Sequence, residues 1–465
     1  MKRVSVLEKA RRAREAALVL AGVSSAAKNR ALRAAASEIR KRRADILAAN
    51  SADVRDAEKL VAKGAMTKAL LKRLALNYGK IEEMARGIEA VAALPDPVGA
   101  TLDALELDAG LNLYRIACPI GVIGAIFESR PDVVPQVASL CVKSGNAVIL
   151  KGGSEAARSN LALAGAISAA LDAAPGMPPN AVQLIETRAE VRSILELDDY
   201  VDLLVPRGGK DFIRRVMDNT NIPVIGHADG VCHVYVDERA DIETALKVCF
   251  DAKVQYPAVC NAMETLLVHE KIAARFLPPM VARLRDAGVQ LRACPASRKI
   301  VRGLKPATEK DWSAEYLDLV LAVRVVASLE AAVEHINRYG SRHTDAIVTS
   351  NPAAARRFLD RVDSACVFVN ASTRFSDGYR FGKGAEIGIS TGKTHARGPV
   401  GMEGLLIYKY VLIGKGQTVA EYTGARARRF THRPLKKNFP PPGGLIHTKK
   451  SRRRAENPHR GGKIT

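Results

Sequence analysis

The chain has 465 residues, enough for two or three domains with substantial cores, and its 47% hydrophobic and 26% charged residues are ordinary for a globular protein. No apolar run reaches the roughly 18 residues of a transmembrane helix, and the N-terminus lacks the apolar core and cleavage site of a secretory signal. Seven scattered cysteines without a CxxC pair speak against disulfides or a zinc site, so we predict reduced thiols, no metal and a cytoplasmic location.

The net charge of +22 is concentrated at the two ends of the chain. Residues 1–43 carry a net charge of +10 and residues 436–465 one of +8, which leaves the middle nearly neutral. The Pro- and Gly-rich tail, 436–465, has little apolar surface to bury and is predicted to be disordered. It is either a solvated extension or a segment that attracts polyanions without specificity, because no nucleic-acid-binding motif accompanies it.

Residues 5–95 are predicted to form helices, because apolar residues recur there at spacings of three and four. From about residue 111, short apolar runs alternate with helix-like segments, which indicates a mostly parallel, doubly wound sheet. Its predicted strands are 121–127, 146–150, 181–186, 202–206, 223–226 and 232–237, and the predicted helices are 132–144, 155–172, 188–197, 209–218 and 241–251. Ligands of such sheets bind at the carboxyl ends of the strands.

A second alternating set follows Cys260 and predicts a second α/β domain that begins at this cysteine. Its predicted strands are 263–269, 319–326, 345–350 and 366–370, and its predicted helices are 270–287, 329–339 and 352–361. The glycine-rich run 376–405 has almost no apolar periodicity. A loop of that length in a compact domain is usually functional or part of an interface.

Two predicted strands of the first sheet end in glycine-rich turns. In VILKGGSEA, residues 148–156, Lys151 suits a phosphate or ribose, the glycines let the backbone approach a phosphate, and Ser154 can cap the next helix. VPRGGKDF, residues 205–212, repeats the arrangement. Neither turn is a GxGxxG motif or a P-loop, so a plain capped strand–helix turn remains the alternative.

Two single residues also suggest chemistry. Arg130, in FESRPDVVP, suits bidentate contact with a carboxylate or phosphate, and a surface ion pair with Glu128 is the alternative. Cys260, in VQYPAVCNAMETLLVH, is either a nucleophile or one more buried thiol, the commoner fate of a cysteine.

Long stretches resemble the gamma-glutamyl phosphate reductase family of the aldehyde dehydrogenase-like superfamily. They include IACPIGVIGAIFESRPDVVPQVASLCVKSGNAVILKGGSEA, the cysteine segment, and NASTRFSDGYRFGKGAEIGISTGKTHARGPVGMEGLLIYKY. The glycine-rich segment and the cysteine segment are the highly specific ones. The resemblance runs from about residue 5 to 435, and the last 30 residues do not match. It implies an α/β, aldehyde dehydrogenase-like fold and reduction of L-glutamyl 5-phosphate by NADPH to L-glutamate 5-semialdehyde and phosphate, in proline biosynthesis.

By this resemblance Cys260 is the nucleophile that attacks the acyl phosphate and carries the acyl group as a thioester, which hydride from NADPH reduces. The resemblance also places side chains around the cofactor and the substrate. The implied cofactor-binding residues are Lys151, Gly152, Ser154, Gly208, Gly209 and Glu315, and the implied substrate-binding residues are Arg130, Asn370, Ser372, Thr373 and Arg374. A helix-start acid remains the alternative for Glu315, and a solvated loop is the alternative for residues 370–375.

The resemblance also implies a domain plan. Residues 1–250 would form the N-terminal helices and the NADP-binding domain, 251–375 the catalytic domain, 376–435 a Gly-rich loop and oligomerisation arm, and 436–465 the basic tail. A homo-oligomer and a functional association with glutamate 5-kinase are expected. Neither a membrane nor a specific nucleic acid is an expected partner.

Two rival functions differ from this interpretation. An aldehyde dehydrogenase that forms a free acid needs a glutamate that activates water, in an E-L-G-G-K stretch. Here the corresponding stretch is GHADGVC, residues 226–232, with His227 near that place. A nucleic-acid-binding protein would depend on the basic ends, so a chain cut near residue 435 would lose its salt-sensitive affinity, whereas an enzyme would keep its turnover.

Overall fold

A computed structural model describes residues 4–128, 130–226 and 229–440. The described residues form two compact units. One comprises the residues up to 98 together with 118–407, and the other comprises 99–117 and the residues from 408 on. His227, and residues 441–465 of the tail predicted to be disordered from 436 on, lie outside the described residues. In the described part of that tail, Phe439 packs on Tyr114 and its N–H donates to Thr101 Oγ1, so the prediction of disorder was wrong there.

Helices and strands alternate over most of the described chain. Its helices are α1 (Val6–Leu20), α2 (Ser25–Lys41), α3 (Arg43–Ala62), α4 (Lys68–Leu74), α5 (Tyr78–Ala93), α6 (Val133–Lys143), α7 (Ala157–Asp172), α8 (Arg188–Ile194), α9 (Lys210–Asp218), α10 (Ile242–Val254), α11 (Glu270–Asp286), α12 (Pro295–Ile300), α13 (Leu329–Tyr339) and α14 (Pro352–Arg361). Its strands are β1 (Thr101–Asp108), β2 (Leu111–Pro119), β3 (Val122–Phe127), β4 (Ala147–Lys151), β5 (Val182–Leu184), β6 (Leu203–Arg207), β7 (Cys232–Val236), β8 (Met263–His269), β9 (Gln290–Ala293), β10 (Lys305–Pro306), β11 (Val320–Val326), β12 (Thr344–Val348), β13 (Cys366–Val369), β14 (Gly388–Ser390), β15 (Gly398–Val400), β16 (Leu406–Ile413) and β17 (Arg433–Pro434).

The N-terminal helices form where the sequence predicts them. Ser5 and Ser24 cap α1 and α2 by accepting hydrogen bonds from backbone N–H groups of the first turn. Each helix buries one apolar stripe, as at Ala31, Ala35 and Ile39 of α2, and polar residues line the other face. This packing against α5 and α7 extends the core of the first sheet.

The first sheet is parallel, with the order β5-β4-β3-β6. Its central strands are buried on both faces because helices cover them, which explains their continuous apolar sequences. In the pairing register Lys151 lies beside Ile126, and Phe127 lies beside Arg207. The carboxyl ends of β3, β4 and β6 therefore meet at one edge, where such sheets bind ligands.

One predicted strand of this sheet is reduced to a single bridge. Residues 223–226 contribute only the pairing of Val224 with Leu204. Pro223 has no N–H to donate, and the ladder stops there after two hydrogen bonds around Leu204.

The second sheet has seven parallel strands in the order β10-β9-β11-β8-β7-β12-β13. The sequence analysis placed the strand at 232–237 in the first sheet, and this was wrong. The structure pairs β7 with β8 and β12, because sheet membership depends on partners that come later in the chain. The second sheet therefore begins ahead of Cys260, with β7 and α10.

The second unit contains the antiparallel sheet β16-β2-β1-β17. Its small core joins Ala104, Tyr114 and Ile116, and Phe439 packs edge-on against Tyr114 with ring centroids 5.1 Å apart. In the part of the chain that the structure describes, no helix combines the length and apolar character needed to cross a membrane.

Candidate active site

Cys260 lies in the turn that joins α10 to β8. The Ala262 N–H donates to the Val259 carbonyl at 3.0 Å and closes this turn. The Cys232 thiol, at the start of β7, donates to the Cys260 carbonyl at 3.2 Å. The backbone of Cys260 is therefore held from two sides, and its side chain is half-buried.

Gly230 gives the turn the space that it needs. A Cβ at Gly230 would stand 2.3 Å from the Cys260 carbonyl oxygen and 2.5 Å from its Cα, so only glycine fits here. The Gly230 N–H donates to Glu315 Oε1 at 2.9 Å. Glu315 lies in the loop before β11 and not at a helix start, so that alternative for it was wrong.

The glycine-rich segment 376–405 is connected to the same turn. The Asn261 side chain is buried, and its Nδ2 donates to the Ser376 carbonyl at 2.7 Å. Two residues further on, the Gly378 N–H donates to Glu386 Oε2 at 2.8 Å. The segment therefore brings a carboxylate toward Cys260, although its sequence lacks apolar periodicity.

The environment of Cys260 strongly favours the thiol over the thiolate. Burial, and next the carboxylates of Glu315 and Glu386, raise the pKa of Cys260 to about 12, and the Arg207 cation opposes them. Burial also raises the pKa of Glu386, which Arg207 again opposes. Cys260, Glu315, Glu386 and Arg207 are therefore within electrostatic reach of one another.

Arg207 is a site residue that the sequence analysis missed. It ends β6, directly before the glycine pair that was singled out, and its Cγ lies 4.0 Å from where a Cβ of Gly388 would stand. Its Nη1 is buried and has no hydrogen-bond partner among the described residues. Burial, and next the Arg130 cation, lower the pKa of Arg207. An arginine at the end of a parallel strand was the available signal.

Lys151 and Ser154 lie in a separate region, at the end of β4. Lys151 is buried, which lowers its pKa, and Glu155 partly opposes this. Ser154 caps no helix, so that part of its predicted role was wrong; Gly153 precedes the short 3-10 turn Ser154–Ala156 instead. Ser154 lines a cleft of about 640 Å³, together with Arg158 and Arg188.

Of the two glycine-rich turns, only the one after β6 leaves open space for a ligand. Gly208 and Gly209 are exposed before α9, and a Cβ on Gly209 would meet nothing within 4 Å. An added Cβ on Gly208 would stand 2.8 Å from the Glu128 Cδ, at the end of a flexible side chain that can move away. Gly152 is buried against Asn160, with Nδ2 2.0 Å from an added Cβ, so its role is tight packing.

Arg130 forms an ion pair with Asp132, with Nη2 and Oδ2 2.7 Å apart, and its side chain is 42% exposed. The alternative that paired it with Glu128 was wrong. The Glu128 Oε2 instead accepts the Gly209 N–H at 3.2 Å.

The predicted substrate residues 370–374 differ in what their side chains already contact. Asn370 uses both ends of its amide on the backbone of Thr349, and Ser372 Oγ accepts the Arg374 N–H. Arg374 is buried and donates from Nε to Gln255 Oε1 at 3.0 Å. Thr373 is fully buried, and its Oγ1 has no partner among the described residues.

In residues 4–128, 130–226 and 229–440, no three His, Cys, Asp or Glu side chains gather to hold a metal ion.

The fold and site have counterparts among known proteins. The model of the aldehyde dehydrogenase family matches residues 4–292, more than half of the chain. An acetylating aldehyde dehydrogenase from Geobacillus thermoglucosidasius superposes with a TM-score of 0.61 at 18% identity, over 89% of this chain and 97% of its own, which shows the shared fold. Together the family match, the two parallel sheets and the cysteine in the α10–β8 turn of the second sheet define an oxidoreductase of the aldehyde dehydrogenase class.

Two more similar proteins narrow the assignment. A gamma-glutamyl phosphate reductase from Methanosarcina acetivorans is 56% identical over 433 residues, which cover 92% of this chain and 97% of its own. The crystal structure of a gamma-glutamyl phosphate reductase from Thermotoga maritima matches with a TM-score of 0.86 at 45% identity, over 89% of this chain and 100% of its own. The chain belongs to the gamma-glutamyl phosphate reductase family, which confirms the predicted family and fold.

Proposed function

We propose that this protein reduces L-glutamyl 5-phosphate to L-glutamate 5-semialdehyde and phosphate, with NADPH, as a step of proline biosynthesis. The observation that carries the proposal is a half-buried cysteine, Cys260, in a turn that only a glycine at position 230 can pack against, within electrostatic reach of the Arg207 cation. A thiolate and an acyl phosphate are both anionic, so a site that joins them needs a cation at the reacting atoms. The names of the relatives support the choice of substrate.

Cys260 forms the covalent intermediate. Its thiolate attacks the acyl carbon, the carbon–oxygen bond to phosphate breaks, and the acyl group remains as a thioester. Because Cys260 is half-buried, the access of water to this thioester, which hydrolysis would waste, is reduced. Reduction of the thioester returns the thiolate when the aldehyde leaves.

The glutamyl part of the substrate would be held by residues on both sides of Cys260. We assign Arg374 and Thr373 to its charged and polar groups, because one is a buried cation and the other has an unpartnered hydroxyl among the described residues. Ser372 and Asn370 would position this loop through their bonds to the backbone. Arg130, more exposed, would act at the entrance.

The residues at the ends of β4 and β6 suit a nicotinamide cofactor, which the aldehyde dehydrogenase family uses. When bound, NADPH supplies the hydride for the thioester. Lys151 and Ser154 would contact its adenosine side, where the cleft of about 640 Å³ lies. The open space at Gly209 would admit the pyrophosphate next to the N-terminus of α9, and Glu315 would bind the nicotinamide ribose.

The reverse reaction tests the proposal directly. With glutamate semialdehyde and NADP, we expect reduction of NADP that depends on inorganic phosphate and is lost in Cys260→Ala. Cys118→Ala, which removes a half-buried cysteine of β2, serves as the matched control and should keep its turnover. Turnover of the wild type without phosphate would mean that water resolves the thioester, and an aldehyde dehydrogenase that forms a free acid would replace the proposal.

The proposed domain ranges, homo-oligomer, kinase association and cytoplasmic location remain predictions. Exposed Ile407, Tyr408, Tyr410 and Leu412 on β16 support the oligomer, because so many large apolar side chains on one strand are unusual for a monomer. Sedimentation of the full chain tests this, and a monomer at micromolar concentration would refute it.

A further inference from the structure

Arg207 combines three properties that single it out from the other arginines of the site. It ends a buried parallel strand, its Nη1 is shielded from solvent, and that nitrogen has no hydrogen-bond partner among the described residues. Buried polar atoms in proteins are nearly always paired, and an exception calls for an explanation. A guanidinium N–H without an acceptor is the expected state of a group whose acceptor arrives with a ligand.

The neighbouring acids do not supply that acceptor. Within the described ranges, no carboxylate lies within the 4.0 Å of an ion pair with Arg207, although Glu386 is close enough to influence it. Glu386 directs Oε2 to the Gly378 N–H instead. The side chain of Arg207 packs over Gly388, where any Cβ would stand 4.0 Å from its Cγ. The Nη1–H of Arg207 is therefore left without a protein acceptor among the described residues.

Resting on the proposed function, we propose that Arg207 is a catalytic residue that binds the phosphate group of the acyl phosphate, and the departing phosphate, through its unpartnered N–H. Contact with a carboxylate or phosphate of the substrate was expected of Arg130. Arg130 is instead 42% exposed and already paired with Asp132, so its charge is largely screened.

The Cys260 thiol first releases its proton to solvent, and the thiolate electron pair forms the bond from sulfur to the acyl carbon. The bond from that carbon to the bridging oxygen breaks, its electrons stay on the oxygen, and inorganic phosphate leaves as an anion. The negative charge thus moves from sulfur to phosphate. The Arg207 cation favours negative charge at Cys260, while Glu315 and Glu386 oppose it. A planar guanidinium fork matches a phosphate with two parallel hydrogen bonds.

Protection of Cys260 from alkylation tests the proposal without turnover. Iodoacetamide modifies Cys260 with and without inorganic phosphate in the wild type, Arg207→Met, Arg207→Lys, Arg130→Met and the control Arg215→Met, which removes an exposed charge from α9. For each protein the alkylation rate with phosphate is compared with that protein's own alkylation rate without phosphate. This is needed because loss of the Arg207 cation also lowers the fraction of Cys260 that is present as thiolate. We expect half-protection of Arg207→Met to need at least about tenfold more phosphate than the wild type, with Arg215→Met unchanged.

Several outcomes overturn the proposal. They are an unprotected wild type, equal protection of Arg207→Met and the wild type, and loss of protection in Arg130→Met alone. If melting curves show that Arg207→Met does not fold, Arg207→Lys carries the test, because lysine keeps the charge and lacks the fork. An unchanged phosphate requirement in that variant refutes the proposal. Failure of the proposed function is distinct, since it appears as wild-type turnover that does not need phosphate.

Discussion

Replacement of Gly230 by alanine tests how closely the turn that carries Cys260 is packed. The added Cβ would stand 2.3 Å from the Cys260 carbonyl oxygen, whereas ordinary contacts begin at 3.4 Å. One of the two backbones would have to move by about 1 Å to relieve this overlap. A displacement of about 1 Å at a reacting atom costs on the order of 10²-fold in rate. A forced backbone shift also costs roughly 1–3 kcal/mol of stability.

We therefore expect the kcat of Gly230→Ala to fall about 10²-fold, with a melting temperature lower by several degrees. The assay is phosphate-dependent NADP reduction, with a thermal melt of the same samples. Gly165→Ala is the matched control, because a Cβ there meets nothing within 4 Å and the position lies inside α7. Gly165→Ala should keep its kcat, and its free energy of unfolding should rise by up to about 1 kcal/mol. A folded Gly230→Ala protein with wild-type kcat would refute the argument.

Three further predictions concern the same region. Because the pKa of Cys260 is raised to about 12, its thiolate fraction, and with it the alkylation rate, should rise about tenfold per pH unit from about pH 7 to 10. A plateau within that range would contradict this. Lys253→Met leaves the fully buried Glu264 without its partner at 2.6 Å. We expect the free energy of unfolding, measured with urea, to fall by about 3–5 kcal/mol in Lys253→Met and to be largely restored in Lys253→Met/Glu264→Leu. Equal stability of the two variants would argue against a buried charge. Asn261→Ala removes the bond to the Ser376 carbonyl and should cost roughly 1–3 kcal/mol, which the same unfolding assay measures.

Local sequence predicts most of the regular structure, because helices and buried strands depend on neighbours in the chain. The bounds of α13 and α14 match the predicted helices at 329–339 and 352–361. Pairing over long distances was harder. The strand β7 was assigned to the wrong sheet, and β1 and β9 were not recognised. Nothing within a five-residue strand specifies which of two similar sheets it joins.

The residues of the candidate site were only partly predicted, because they too come together from distant parts of the chain. The resemblance singles out Cys260, and the structure adds what surrounds it. Arg207, Gly230 and Glu386 come from three distant parts of the chain, and none stands out in its own segment. The glycines beside Arg207 drew attention because glycine has a local meaning, whereas the value of a buried cation depends on which groups fold next to it.

The charge balance around Cys260 links the packing to the chemistry. Burial and two acids hold the cysteine as a thiol, which is a nucleophile of low reactivity. One cation opposes them, and its buried Nη1–H without a protein acceptor is itself unfavourable. Under the proposed function, an anionic acyl phosphate would satisfy that N–H on binding, and attack would transfer the negative charge from sulfur to phosphate. The cost of leaving this N–H unpaired would then be recovered only when the substrate or its phosphate is present, which would favour acyl phosphates over neutral esters.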